Sequence, residues 1–193
     1  RGTKSPGGSI DKTAVGATGE PFELVVERGK IGELAGAIGA RHADHRAAPA
    51  VPPPTFLTTM FHWERLAPGA NPWHRVGMSE ERGMHAEQEY VFHGPPPAEG
   101  TRLVCTSRIA EIVEKQGKRG GTLTFAVMVT EVRDETGRLV AEARMTGVET
   151  ERAPEPSEAR RVLTGDRASP SAGETDRSTE PVTGSVTGST GGA

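Results

Sequence analysis

The stretch PTFLTTMFHWERL (residues 54–66) decides the fold. Proline suits a helix start, because the N–H it lacks would have no partner there. Behind it Phe56, Leu57, Met60, Phe61 and Leu66 cover one broad face, with Trp63 at its border. Thr58, His62 and Arg65 share the other side. No charge precedes Glu64, and so wide an apolar stripe predicts a helix buried on most sides. A helix of that kind needs a surface wrapped around it.

Working outward, the period changes to two after Gly83. Segments 85–93, 101–115, 121–134 and 139–150 read as strands, separated by HGPPPAEGT, EKQGKRGG and DETGR turns. In the third, Leu123, Phe125, Val127 and Val129 alternate with Thr122, Thr124, Met128 and Thr130. In the last, Leu139, Ala141, Ala143 and Met145 share a side, and such small residues leave room for a bulky helix or ligand. Upstream, Phe22, Leu24 and Val26 alternate with Glu23 and Glu27 as a short strand. Ile31, Leu34, Ala35 and Ile38 follow at the i, i+3, i+4, i+7 spacing of a helix that Gly39 can end. Strand, helix, buried helix and four antiparallel strands predict an α+β fold, a sheet wrapped around one central helix.

The 193 residues hold 34% hydrophobic residues, with Gly 25 and Pro 15, a composition that suggests a normal core diluted by solvated ends. Residues 151–193 carry no aromatic side chain and end in a VTGS repeat. They cannot bury enough apolar surface to offset chain entropy, so a disordered tail is expected, and residues 1–20 read the same way. Residues 21–150 then form the single folded domain. A net charge of −3 gives no basic surplus for nucleic acid or anionic membrane, and no apolar run reaches the roughly 18 residues of a membrane span. Cys105 is the lone cysteine, which excludes a disulfide-stapled fold. The start shows no secretory signal, and Arg1 in place of Met suggests a fragment or a processed chain; a cytoplasmic protein is expected.

Four stretches in order narrow the reading: FELVVERGKIGELAGAIG (22–39), PPPTFLTTMF (52–61), HAEQEYVFHGPPPAEGTRL (85–103) and GTLTFAVMVTEVRDETGRLVAEA (121–143). Together they resemble the N-terminal-type hot-dog domain of MaoC-like dehydratases, including non-catalytic subunits of bacterial (3R)-hydroxyacyl-ACP dehydratases. The resemblance implies a hot-dog fold acting on 3-hydroxyacyl or enoyl thioesters. It implies no cofactor, only substrate carried on CoA or acyl carrier protein, and reversible addition of water across a 2,3-double bond. In catalytic members a G-D-x-N-P-x-H loop supplies an Asp and a His that orient water and move its proton. Backbone N–H groups at the start of the buried helix, in a stretch resembling P-I-x-H-G-M, hold the thioester oxygen.

This chain departs from both elements. The loop's Gly falls on Gly39, its Asp on Ala40, its Asn on His42, its Pro on Ala43 and its His on His45. Ala40 cannot move a proton. His45 remains, and Asp44 beside it is the candidate substitute, although adjacent residues in an extended loop tend to point apart. In the second element Pro52, Pro53 and Pro54 offer no N–H, leaving Thr55 and Phe56 as candidate donors to an anion.

The leading expectation is therefore an accessory subunit that shapes a substrate channel while a catalytic hot-dog partner supplies the Asp/His loop. Its candidate substrate-binding residues are Thr55, Phe56, Met60, Trp63 and Met84, with Leu57, Phe61 and Met78 as further wall; Met suits a channel for flexible chains. The plainer reading, a core under the sheet, fits Phe56, Leu57 and Phe61 better. The loop over residues 67–83, carrying Trp73, is long enough to cap such a channel or to meet a partner. A self-sufficient hydratase using Asp44 and His45 and a non-enzymatic acyl-thioester-binding module are the alternatives, and a homodimer is the alternative to the pair with a catalytic subunit. His62, His74, His85 and His93 lack metal-ligand spacing and read as hydrogen-bonded structural residues. Glu87 and Glu89 beside His85 admit a thioesterase-like base, though an exposed strand face is the simpler account. Arg102, Arg108, Lys118 and Arg119 are candidates for a phosphate, against a default of plain solvated surface.

Overall fold

Alternation sets the sheet, and the structure, a computed structural model, describes residues 10–118 and 120–152. Strand β1 (Phe22–Val25) leads into helix α1 (Arg28–Ala37). The central helix is a 3₁₀ turn, Phe56–Met60, running into an α turn, α2 (Phe61–Glu64). Strands β2 (Gly83–Phe92), β3 (Arg102–Gln116), β4 (Thr122–Asp134) and β5 (Leu139–Thr150) follow. All neighbours pair antiparallel in the order β1-β3-β4-β5-β2. This is the hot-dog arrangement that the sequence predicts. The described residues fall within one unit, 1–154. The tail expected over residues 151–193 lies outside them from residue 153 onward, as do residues 1–9 and Arg119.

The inner face of the sheet carries two apolar clusters. One gathers Phe22, Leu24, Ile31, Phe56, Leu57, Leu103, Val132 and Ala141 around the central helix. The other joins Ile10, Ala14, Val76, Ile109, Ala126 and Met128, with Trp73, Met78 and Met145 packed against it. The solvated arm expected over residues 1–20 is therefore corrected for residues 10–20. Asp11 caps the 3₁₀ turn Lys12–Ala14, which buries Ile10 and Ala14, and Gly19 N–H bonds to the Ser107 carbonyl at 2.8 Å. Two apolar residues suffice because the far half of the sheet offers them a hydrophobic face.

Three further expectations change in detail. The 3₁₀ start advances the chain about 120° per residue, so Phe56 and Thr59 stack on one buried side and the Thr59 hydroxyl donates to the Phe56 carbonyl at 2.9 Å. That rotation brings Glu64 inward and turns Phe61 and Leu66 out, 45% and 82% exposed. In α1 the helix ends at Ala37, so Ile38 caps it in solvent while Ile31 and Ala35 are buried. In β4 the side facing the helix is Ala126, Met128, Thr130 and Val132. The more apolar side, with Phe125 beneath the Lys115 ammonium at 5.2 Å, lies on the outer face.

Candidate functional site

Gly39 sits at φ +68° just past α1, where its N–H bonds the Gly36 carbonyl and Ala40 N–H reaches Ala35. The loop turns through the 3₁₀ segment Ala43–Arg46, and Val51 N–H donates to the Asp44 carbonyl at 2.9 Å. His45, half-buried, donates Nδ1–H to the Val51 carbonyl at 2.7 Å. A carbonyl only accepts, so this bond leaves the Nε2 lone pair of the neutral ring bare. The Asp44 carboxylate instead lies 3.4 Å from His42 Nδ1, with both side chains mostly exposed. Asp44 and His45 thus turn to different partners. Ala40, which the resemblance puts at the acid's position, carries only a methyl group. The Glu99 carboxylate, just before β3, accepts from Ala50 N–H and ties this part of the loop to the start of that strand.

The candidate oxyanion donors also change. Phe56 N–H is committed to the Pro53 carbonyl at 2.9 Å, and Thr58 N–H to that of Thr55. Phe56 is 3% exposed and serves as core, and Met60 and Trp63 are half-buried against the same cluster. Thr55 stands exposed at the helix start. None of these borders the described cavity.

That cavity, about 510 Å³, lies at the Gly83 end of β2. Its walls are Trp73, Met78, Met84, Met145 and Gly147, with His74, Ser79, Glu80 and His85 among the polar groups lining it. Asn71 caps the 3₁₀ turn Pro72–Arg75 by accepting Trp73 N–H at 2.8 Å. The indole then lies against Gly147, the β5 position with no side chain. The small inner side of β5 signalled this space in sequence, but Met145 and Gly147 were not singled out as its wall. A bulge between His85 and Glu87 puts His85 opposite Gly147 and Glu87 opposite Thr146, on the other side of the sheet. The His85–Glu87–Glu89 constellation is therefore not assembled, and Glu89 pairs with Arg144 at 3.4 Å.

Sequence reasoning also missed Glu64, 9% exposed beneath the sheet. Its carboxylate accepts from Asn71 Nδ2 at 3.0 Å and from the Ser107 hydroxyl at 3.3 Å, and Ser107 bonds Thr130 at 2.8 Å. Burial raises its pKa above the ordinary 4.5, against the pull of the Ser107 and Asn71 hydrogen bonds. The folded chain therefore holds this proton more tightly than the unfolded chain does. The contribution is full at acid pH and is lost as pH climbs from about 4.5 through the raised folded value. Glu64→Gln is expected to flatten that slope, checked by urea midpoints across the acid range. Neighbouring Cys105 is pushed up to about 12 by burial and by the Glu64 charge, which makes it an inert thiol.

The remaining candidates have local roles. His62 stacks on Phe61, His74 donates Nδ1–H to the Asn71 carbonyl, and His93 lies 3.0 Å from Glu142. Arg102 lies 3.8 Å from Glu23. Among the described residues no three His, Cys, Asp or Glu come together as metal ligands would, and no helix is long and apolar enough to cross a membrane.

Comparison with solved structures finds the same fold. The HadBC (3R-hydroxyacyl-ACP dehydratase) complex from Mycobacterium tuberculosis aligns at TM-score 0.53 and 22% identity, covering 70% of this chain and 96% of the other. The ChsH1-ChsH2 complex from the same organism aligns at TM-score 0.57 and 17% identity, covering 75% and 89%. A MaoC-like dehydratase aligns at TM-score 0.56 and 20% identity, covering 89% of this chain and 53% of that one. No curated protein matches the chain. A family model described as "FAS1-like, dehydratase domain region" matches residues 13–143, well over half of the sequence. The chain therefore belongs to the FAS1-like dehydratase domain family.

Proposed function

We propose that this chain is the accessory, substrate-channel subunit of an (R)-specific 3-hydroxyacyl-thioester dehydratase. A partner supplies the Asp/His loop, and the substrate rides on CoA or acyl carrier protein. One observation carries the reading: the cavity is walled by Trp73, Met78, Met84 and Met145 and by no residue of the 39–51 loop, which Glu99 ties to the other end of the sheet.

Among the described residues strand β2 pairs only with β5, which leaves its outer ladder groups for a second hot-dog sheet. Antiparallel pairing of β2 with an equivalent strand sets the Gly83 end of one subunit against the Phe92 end of the other. The cavity lined by Trp73, Met78, Met84 and Met145 then opens beside the partner's loop rather than beside Ala40. The solved HadBC and ChsH1-ChsH2 structures, both complexes, are consistent with such a pair.

A self-sufficient hydratase is the second reading, favoured by His45, whose bare Nε2 is the form a general base takes. Met84→Trp separates the two, since it fills the cavity without touching the His45 loop. In the assembled pair it is expected to lower the ratio of dodecenoyl-CoA to crotonyl-CoA hydration about tenfold, the worth of roughly two buried methylenes. An unchanged ratio contradicts the channel assignment.

A further inference from the structure

Buried carboxylates in a hot-dog core need a reason, and Glu64 has partners on two different segments. Ser107 comes from β3, Thr130 lies behind it on β4, and Asn71 comes from the loop after the central helix. The Asn71 amide is the informative one, because both its ends are in use. Its Oδ1 accepts Trp73 N–H at 2.8 Å, so its Nδ2 must be the donor, and the oxygen it finds is Glu64 Oε2 at 3.0 Å. Trp73 in turn forms the cavity wall against Gly147. A chain of hydrogen bonds thus runs from beneath the sheet to the Trp73 backbone N–H, although Glu64 is not among the residues lining the cavity.

We infer that Glu64, acting through Asn71, is a positioning residue that fixes Trp73 and so sets how tightly the cavity grips an apolar chain. The grip rests on the acyl reading of the cavity; the placement of Trp73 does not. The polarity of the chain predicts a specific pattern of loss and rescue. Asn71→Asp keeps an acceptor for Trp73 N–H but sets a second carboxylate against Glu64. Adding Glu64→Gln turns the pair around: the Gln amide donates to Asp, its carbonyl accepts from Ser107, and one negative charge remains. Hydrogen bonds and charge are then conserved, with donor and acceptor exchanged.

The test uses the full chain, with the two indole N–H signals followed by NMR and assigned through Trp63→Phe. Dodecanoyl-CoA is the titrated probe. Asn71→Asp is expected to displace or broaden the Trp73 signal and to weaken dodecanoyl-CoA about tenfold. The Glu64→Gln, Asn71→Asp double variant is expected to return the signal and bring affinity to within about twofold of the original. An unmoved Trp73 signal in Asn71→Asp, or a double variant as impaired as the single one, overturns the inference. A double variant that recovers fold without the Trp73 signal does the same. If the unsubstituted protein does not bind dodecanoyl-CoA, the acyl reading fails on its own. The Trp73 signal then decides the positioning role by the same loss and rescue.

Discussion

Glu149→Ala is expected to cost about 3 kcal/mol, lowering the melting temperature by roughly 10 °C. Glu149 is 6% exposed on β5, and its carboxylate has two partners across one turn of chain. Oε1 meets Arg82 Nη2 at 2.7 Å, and Oε2 accepts Ser79 N–H at 2.7 Å. The Arg82 carbonyl takes Thr150 N–H at 3.1 Å, so the segment before β2 is stitched to β5 from both sides. Alanine removes the carboxylate that meets a mostly buried guanidinium and the acceptor of a backbone N–H in one step. Such losses are large because desolvation is not recovered. Glu149→Gln keeps an acceptor for Ser79 and loses only the charge, so it should cost less. Met78, Ser79, Glu80 and Gly83 line the cavity, and the alanine variant should loosen that wall as well. Thermal and urea unfolding measure the first effect; a melting temperature within a degree of the parent contradicts it.

Gly147→Ala is expected to destabilise by about 2 kcal/mol, although the same change in an ordinary strand is mildly stabilising. A Cβ at Gly147 would stand 2.7 Å from Trp73 Cζ2, 2.9 Å from Cη2 and 3.0 Å from Met78 Cε. Those indole atoms belong to a rigid ring held at its backbone by the Asn71 cap, so relief requires the whole Pro72–Arg75 turn to move. The sign is therefore diagnostic. The clash involves the benzo ring, so Trp73→Phe in the same chain should recover much of the loss. Unfolding midpoints of the two single variants and the double variant form the cycle that checks this. A neutral or stabilising Gly147→Ala removes the close packing of Trp73 on β5 from the account.

The strands were legible because a half-buried strand writes its face into every second residue. β3, β4 and β5 fall within a residue or two of the alternating segments. Helix α1 was legible through the Ile31, Leu34, Ala35 spacing and the glycine that follows. The central helix was legible as an element but not in its facing, because a 3.6 period was applied to a start that winds at three residues per turn. That difference hid Glu64, the one acid the rotation carries inward. In β4 the apolar alternation pointed to the outer face, because the inner one is built partly from polar Thr130, which Ser107 satisfies. The Ile10 and Ala14 arm was missed since two sparse apolar residues give no periodicity. At the site, Gly39 could be read directly as the residue that closes α1. The cavity could not, since residues 73, 78, 84 and 145 meet only once the sheet and its bulge are formed.

The central claim is that this chain lends a channel to chemistry performed elsewhere. The direct measurement is hydration of crotonyl-CoA and longer 2-enoyl-CoAs by the purified full chain. It is run alone and with a hot-dog protein whose G-D-x-N-P-x-H loop is intact, following loss of the conjugated thioester. The account predicts no turnover above background from the chain alone, and turnover of long enoyl chains once the two are combined. Robust hydration by the chain alone, abolished by His45→Ala, would contradict it.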